Sequence, residues 1–128
     1  MKVTVCQLDP REDHADACLA ALNTHMATEN SEFVLLPEMC FSEWLAAAPT
    51  PDPARWERAA LRHEDHIHRL WELDAAAVVG TRPIVNDLGS RRNQAYLWTR
   101  DRRAAVPIRE KYYLPDEAGY WEHSWYDR

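Results

Sequence analysis

Glycine is scarce in this 128-residue chain: there are three, against eight prolines. Gly80, Gly89 and Gly119 cannot build a phosphate-cradling loop of the usual spacing. Cysteine is equally sparse. Cys6, Cys18 and Cys40 form no C-x-x-C pair, which speaks against a disulfide scaffold or a zinc ribbon and fits a reducing, cytoplasmic compartment. No apolar run approaches the roughly 20 residues of a membrane span, and Met1 to Pro10 turns polar too soon for a secretory leader. A sustained basic block is missing and the net charge is −6, so neither nucleic acid nor an anionic membrane is an expected partner. What is present is a core-forming composition, 46% hydrophobic and 28% charged, in a length that suits one domain. Six Trp and five Tyr stand beside only two Phe. Four of those aromatics fall between Tyr120 and Tyr126, a composition expected of a chain interior rather than a frayed end.

The periodicity alternates in kind. Val3 to Leu8 reads as a strand. Asp9-Pro10 then reads as a helix start, with Glu12 placed to complete a capping box and Ala15, Cys18, Leu22 and Met26 on one face as far as Asn30. Phe33-Val34-Leu35-Leu36 has the pattern of a strand buried on both faces. Pro37 to Asp52 lacks a period and reads as a long loop. Asp52-Pro53 repeats the capped start, followed by Trp56, Ala60, His63, Ile67, Leu70 and Trp71 at helical spacing. Ala75 to Gly80, running on towards Val85, is a further strand. Turn residues Asn86 to Ser90 lead to the alternating Asn93 to Thr99, and Arg100-Asp101-Arg102 turns into Ala104 to Arg109. The order β-α-β-α-β-β-β predicts an α/β fold: a mixed sheet with helices on one face. Such a sheet needs a partner, or more chain, for its other face. Val3–Leu8, Phe33–Leu36 and Ala76–Gly80 are expected among its central strands.

Glu38 follows the buried run directly, at the strand end where open α/β sheets place their sites. Burial there would suit it to work as a general base; the plainer reading is a solvated loop acid. Lys111, after the last strand and before Tyr112 and Tyr113, is placed to steady developing negative charge or simply to lie over the tyrosines. Together, Phe33-Val34-Leu35-Leu36-Pro37-Glu38 and Arg109-Glu110-Lys111-Tyr112-Tyr113-Leu114-Pro115 resemble the Glu and Lys motifs of the nitrilase superfamily, the carbon–nitrogen hydrolases. Cys6-Gln7-Leu8, Gly80-Thr81 and Arg92-Asn93-Gln94-Ala95-Tyr96 are similar to that family in the same order.

The resemblance implies half of an αββα sandwich, residues 1–128 forming the N-terminal part of a carbon–nitrogen hydrolase domain whose C-terminal half is absent. It implies hydrolysis of a non-peptide C–N bond in an amide, N-carbamoyl compound or nitrile, without a cofactor, through a Glu-Lys-Cys triad. Glu38 matches the base, Lys111 the oxyanion stabiliser, and Glu122 a second glutamate that orients substrate or triad. The nucleophilic Cys, which follows the lysine in the family, has no counterpart after Cys40. Cys40 lies two residues past Glu38, and adjacent loop positions seldom aim two groups at one carbon, so it is not the expected nucleophile. Cys6 and Cys18 are expected in the core.

Two other readings are open. A non-catalytic relic or half-subunit acting as an interaction protein would share every one of these residues. A metal-binding module would use His63, His66 and His68, although Asp65 can pair with Arg69 and the pattern predicts a solvated helix face with His63 half-buried. An uncovered sheet face of several hundred Å² would forfeit on the order of 10 kcal/mol. The chain is therefore expected to self-associate, to bind a complementary half, or to be partly molten with a disordered Tyr120–Arg128 end. By itself it is expected to be inactive.

Overall fold

The computed structural model describes residues 1–128. It is an α/β fold on one mixed sheet: β1 (Val3–Val5), α1 (Ala15–Glu29), β2 (Phe33–Leu35), α2 (Pro53–His68), β3 (Ala77–Val85), β4 (Arg91–Thr99), β5 (Ala104–Glu110) and a short α3 (Glu122–Trp125). The strands lie in sequence order, β1-β2-β3 parallel and β3-β4-β5 antiparallel. Each parallel step is bridged by a helix, as the geometry of parallel pairing requires.

One cross-sheet row runs Thr4, Val34, Val78, Trp98, Ala105, and it faces the helices. Val34, Val78 and Trp98 there join Leu19, Leu22 and Met26 of α1 and Ile67 of α2 in the main core. Gly80 belongs to this face for a steric reason: a Cβ would sit 2.6 Å from the Tyr96 hydroxyl oxygen, and Tyr96 is fully buried. The adjacent row, Val5, Leu35, Val79, Leu97, Val106, lies on the opposite face, which no helix covers. Val5 and Val106 are exposed, and Leu35, Val79 and Leu97 are half-buried. The expectation that Phe33 to Leu36 is buried on both faces therefore fails within this chain; only Val34 is enclosed.

A second, smaller core packs Met39, Leu45 and Ala46 of the connection after β2 against Trp56 and Ala59 of α2 and Leu114, Trp125 and Tyr126. The Pro37–Asp52 stretch is thus a loop with its own buried side chains and a 3-10 turn at Leu45–Ala47. The final segment is sewn to it and to β4: Trp121 N–H donates to Ala46 O and the Trp125 indole to Ala48 O, while Asp127 N–H donates to Arg91 O at the start of β4. Trp125 has no exposed surface, so Tyr120–Arg128 is a packed end rather than a disordered one.

Several boundaries differ from the sequence expectation. β1 stops at Val5, because β2, its only neighbour, offers three paired residues; β1 is also an edge strand and not a central one. α1 starts at Ala15, after a 3-10 turn at Glu12–His14, and no capping box forms. Asp9 is drawn instead onto Arg11 N–H, the Arg11 guanidinium and His14 Nδ1, which hold its carboxyl well below the usual range, the Arg11 side-chain bond foremost. Leu19 takes the buried place expected for Cys18, which is half-buried, as is Cys6. α2 begins as predicted: Asp52 accepts from Ala54 and Arg55 N–H, with Pro53 at the first helical position. Its buried stripe uses Ala59 in place of Ala60, and Trp71 is exposed.

Candidate functional site

β2 ends at Leu35, the Leu36 N–H adds one more bond to Val79 O, and Pro37 then turns the chain into Glu38. The next residue, Met39, takes a left-handed backbone (φ 50°), uncommon for a bulky side chain, and its N–H donates to Thr81 Oγ1 at 2.8 Å. Such a strained and pinned turn fixes the direction of the Glu38 side chain.

Two residues bring their polar groups to that side chain, and a third joins through the lysine. The Lys111 ammonium donates to Glu38 Oε1 at 3.0 Å and to Glu122 Oε1 at 2.9 Å. The Asn93 amide donates to the same Glu38 oxygen at 2.7 Å, while its backbone carbonyl accepts from Lys111 N–H at 2.8 Å. Asn93 thereby ties the carboxylate and the lysine strand to one point of β4. Glu38 Oε2 is left without a bond from this chain, and the side chain is 41% exposed. An open cavity of about 310 Å³ lies here, lined by Glu38, Thr81, Asn93, Ala95, Arg109 and Lys111. By strand alternation Thr81, Asn93, Ala95 and Arg109 all sit on the helix-free face, so the cavity opens on the side of the sheet that carries the uncovered apolar row.

Electrostatics separates the two glutamates. Glu122 is 2% exposed and its Oε2 has no partner. Burial raises its carboxyl above the ordinary value, against the pull of the Lys111 hydrogen bond. Partial burial works against the Lys111 charge, but the hydrogen bonds to Glu122 and Glu38 outweigh it and the ammonium is held above its ordinary value. The lysine thus stays charged between an exposed carboxylate, whose second oxygen is open to a ligand, and an enclosed one.

No thiol reaches the cavity. Cys40 is packed in the main core, and burial pushes its thiol up to about 12. The histidines do not form a metal centre. His63 is wholly buried, not half-buried: Nδ1 bonds Ala59 O, and Nε2 accepts from Phe41 N–H. His66 stacks on the Phe41 ring and bonds Arg62 O, while His68 turns to Glu64. No group of three metal-ligating side chains exists in the chain, which overturns the reading through His63, His66 and His68. Arg69 pairs with Glu72 and Asp16, not with Asp65.

Glu38, Lys111 and Glu122, singled out from the sequence, are thus brought together. Asn93 and Arg109 were given no role from sequence. The detectable signal for Asn93 was a neutral polar residue at an enclosed position of an alternating strand; for Arg109 there was none short of the β4–β5 register.

No helix is long and apolar enough to cross a membrane. No known protein-family model matches the sequence, and no curated protein does. Solved structures do match. A carbon-nitrogen hydrolase from Helicobacter pylori G27 superposes with a TM-score of 0.75 at 14% identity, over 98% of this chain and 43% of that one. A glutamine-dependent NAD+ synthetase from Acinetobacter baumannii, in complex with adenosine diphosphate, gives 0.71 at 17% identity, over 98% of this chain and 23% of that one. The chain therefore spans less than half the length of either. The likeness is one of fold: the sheet and helices described above have the arrangement found in a carbon–nitrogen hydrolase.

Proposed function

We propose that this chain supplies the base and the lysine of a carbon–nitrogen hydrolase of the amidase or N-carbamoyl amidohydrolase type. Glu38 is the general base, its free Oε2 taking the proton of an attacking thiol. Lys111 stabilises the negative charge of the tetrahedral species, and Glu122, buried and bonded to the lysine, orients Lys111 and substrate. The thiol belongs to residues outside 1–128, carried by a layer that covers the apolar row and closes the cavity from the same side. In this reading residues 1–128 are the N-terminal part of an αββα sandwich, and the covering layer is the rest of the domain, a complementary half or a second subunit. One observation carries the reading: a single ammonium bridges Glu38 and Glu122 within 3.0 Å, across 73 and 11 residues of sequence.

The absence of a thiol in the cavity also favours a second reading, a non-catalytic half-subunit that binds partners through the same face. One experiment separates the two. Whatever coding sequence follows codon 128, together with the neighbouring frames, is expressed with this chain, and the assembled protein is assayed for ammonia release from simple amides and N-carbamoyl compounds. Hydrolysis is expected, reduced at least about a hundredfold by Glu38→Gln and by Lys111→Met. No turnover in a stable assembly, or turnover indifferent to Glu38→Gln, contradicts the enzymatic reading.

A further inference from the structure

Two buried polar atoms beside the site have no partner, and they belong to residues one helical turn apart. Glu122 Oε2 is enclosed and unbonded, while its other oxygen is held by Lys111 at 2.9 Å. The Tyr126 hydroxyl is likewise enclosed and unbonded, on a residue only 3% exposed. Tyr126 N–H donates to Glu122 O at 2.9 Å, which closes the single turn of α3 and brings the two residues to one side of it. Burial, and after it the charges of Glu122 and Glu38, hold the phenol above its ordinary value, so it remains a donor. The ring is not free to turn its hydroxyl out to solvent. It packs edge-on against Trp56, ring centres 5.3 Å apart, and the Arg91 guanidinium lies over Trp56 at 5.5 Å. The next residue, Asp127, is clamped to the start of β4: it donates to Arg91 O, accepts from Arg91 N–H at 2.7 Å, and its carbonyl accepts from the Arg92 side chain.

We propose that Tyr126 is a positioning residue of the site: its hydroxyl, through one enclosed water, donates to Glu122 Oε2 and so fixes the carboxylate that holds Lys111. This deepens the functional reading above, which gives Lys111 its task. A buried hydroxyl and a buried carboxylate oxygen seldom stay unbonded, and each supplies what the other lacks, a donor and an acceptor. Their separation is too long for a direct bond, and a bridging water needs polar partners on both sides, which these two atoms provide. The charged groups acting on Glu122 are Lys111, after β5, which favours its ionised form, and Glu38, after β2, which opposes it. Tyr126 adds a neutral donor from α3's own end. Without that donor the ionised carboxylate rests on the lysine bond alone, against its burial, and protonation of Glu122 would take from Lys111 one of its two anionic partners.

The test is the carboxyl titration of Glu122, followed by NMR in the 128-residue chain with labelled glutamate side chains, in wild type, Tyr126→Phe and Tyr96→Phe. Tyr96 is the control, because its hydroxyl is also buried and unbonded but lies on the helix face against Gly80. Tyr126→Phe is expected to raise the proton affinity of Glu122 about tenfold, and Tyr96→Phe to leave it unchanged. Replacing tyrosine by 3-fluorotyrosine, a stronger donor of nearly the same shape, should lower that affinity in wild type and in Tyr96→Phe alike. This second arm retains the Tyr126 ring and hydroxyl, so it decides the matter even if Tyr126→Phe does not fold. A Glu122 titration that ignores the changes at Tyr126, or that follows Tyr96 equally, overturns the proposal. Turnover is a separate readout. Glu122 answering to Tyr126 in an assembly that hydrolyses nothing leaves the hydrogen bond standing and removes the functional reading; hydrolysis with Glu122 indifferent to Tyr126 does the reverse.

Discussion

The two faces of the sheet are made by the same strands and differ in almost everything else. On the helix side, Val34, Val78, Tyr96 and Trp98 are at most 1% exposed and form a closed core with α1 and α2. On the other side, one residue along, Val5 is 74% and Val106 40% exposed, with Leu35, Val79 and Leu97 half-open between them. Alternation alone puts apolar residues on both faces, so it records that both are meant to be covered but not by what. The polar site sits at the end of the open face. Packing energy and polar chemistry are thus separated: the helix face holds the chain together, and the open face holds the cavity lined by Glu38, Asn93 and Lys111.

That contrast is broken most strongly by truncation on each side. Trp98→Ala is expected to cost about 3–5 kcal/mol, while Leu97→Ala costs below about 1 kcal/mol in the chain alone, both read from urea melts. The difference should narrow once a covering layer is bound, because Leu97 then becomes a core residue. An equal cost of the two in the isolated chain would mean that the open face is already buried.

A second contrast is titratable. His63 is sealed under the helix face with both ring nitrogens satisfied as the neutral form, and burial, the main cause, lowers its pKa to about 4. Its folded value lies below the unfolded 6.5, so the folded state binds fewer protons and stability falls as pH drops from about 6.5 to 4. The loss amounts to about 3 kcal/mol. Urea melts across that range should show the slope, and His63→Gln should flatten it whatever its baseline stability.

Gly80→Ala is a smaller probe of the same asymmetry. A methyl group on the helix face collides with an immobile Tyr96 ring and is expected to cost about 1–3 kcal/mol. Ala77→Val, on the open face of the same strand, should stay within about 0.5 kcal/mol in thermal melts.

Much of this was legible in the sequence because it is local. Asp52-Pro53 starts α2 as its chemistry dictates, and the alternation of Asn93 to Thr99 places β4. The element order followed from the change of period. What was not legible depends on partners far along the chain. β1 is cut short by the length of β2, and Asp9 serves a turn rather than a helix because Arg11 and His14 compete for it. At the site, Glu38 is readable as a carboxylate after a buried run, and Lys111 and Glu122 by their resemblance to known motifs. Asn93 and Arg109 are not readable in this way: their positions follow from a register spanning 55 residues in one case and from a bulge between Ala95 and Tyr96 in the other.

On the proposed reading, this chain contributes a base and an oxyanion stabiliser but not the nucleophile. The most direct measurement is peptide mapping of the acyl-enzyme trapped when the assembled protein turns over an amide. The thioester is expected on a cysteine outside residues 1–128, with Cys6, Cys18 and Cys40 unmodified. A thioester on Cys40, or amide hydrolysis by the 128-residue chain alone that Cys40→Ser abolishes, would contradict it.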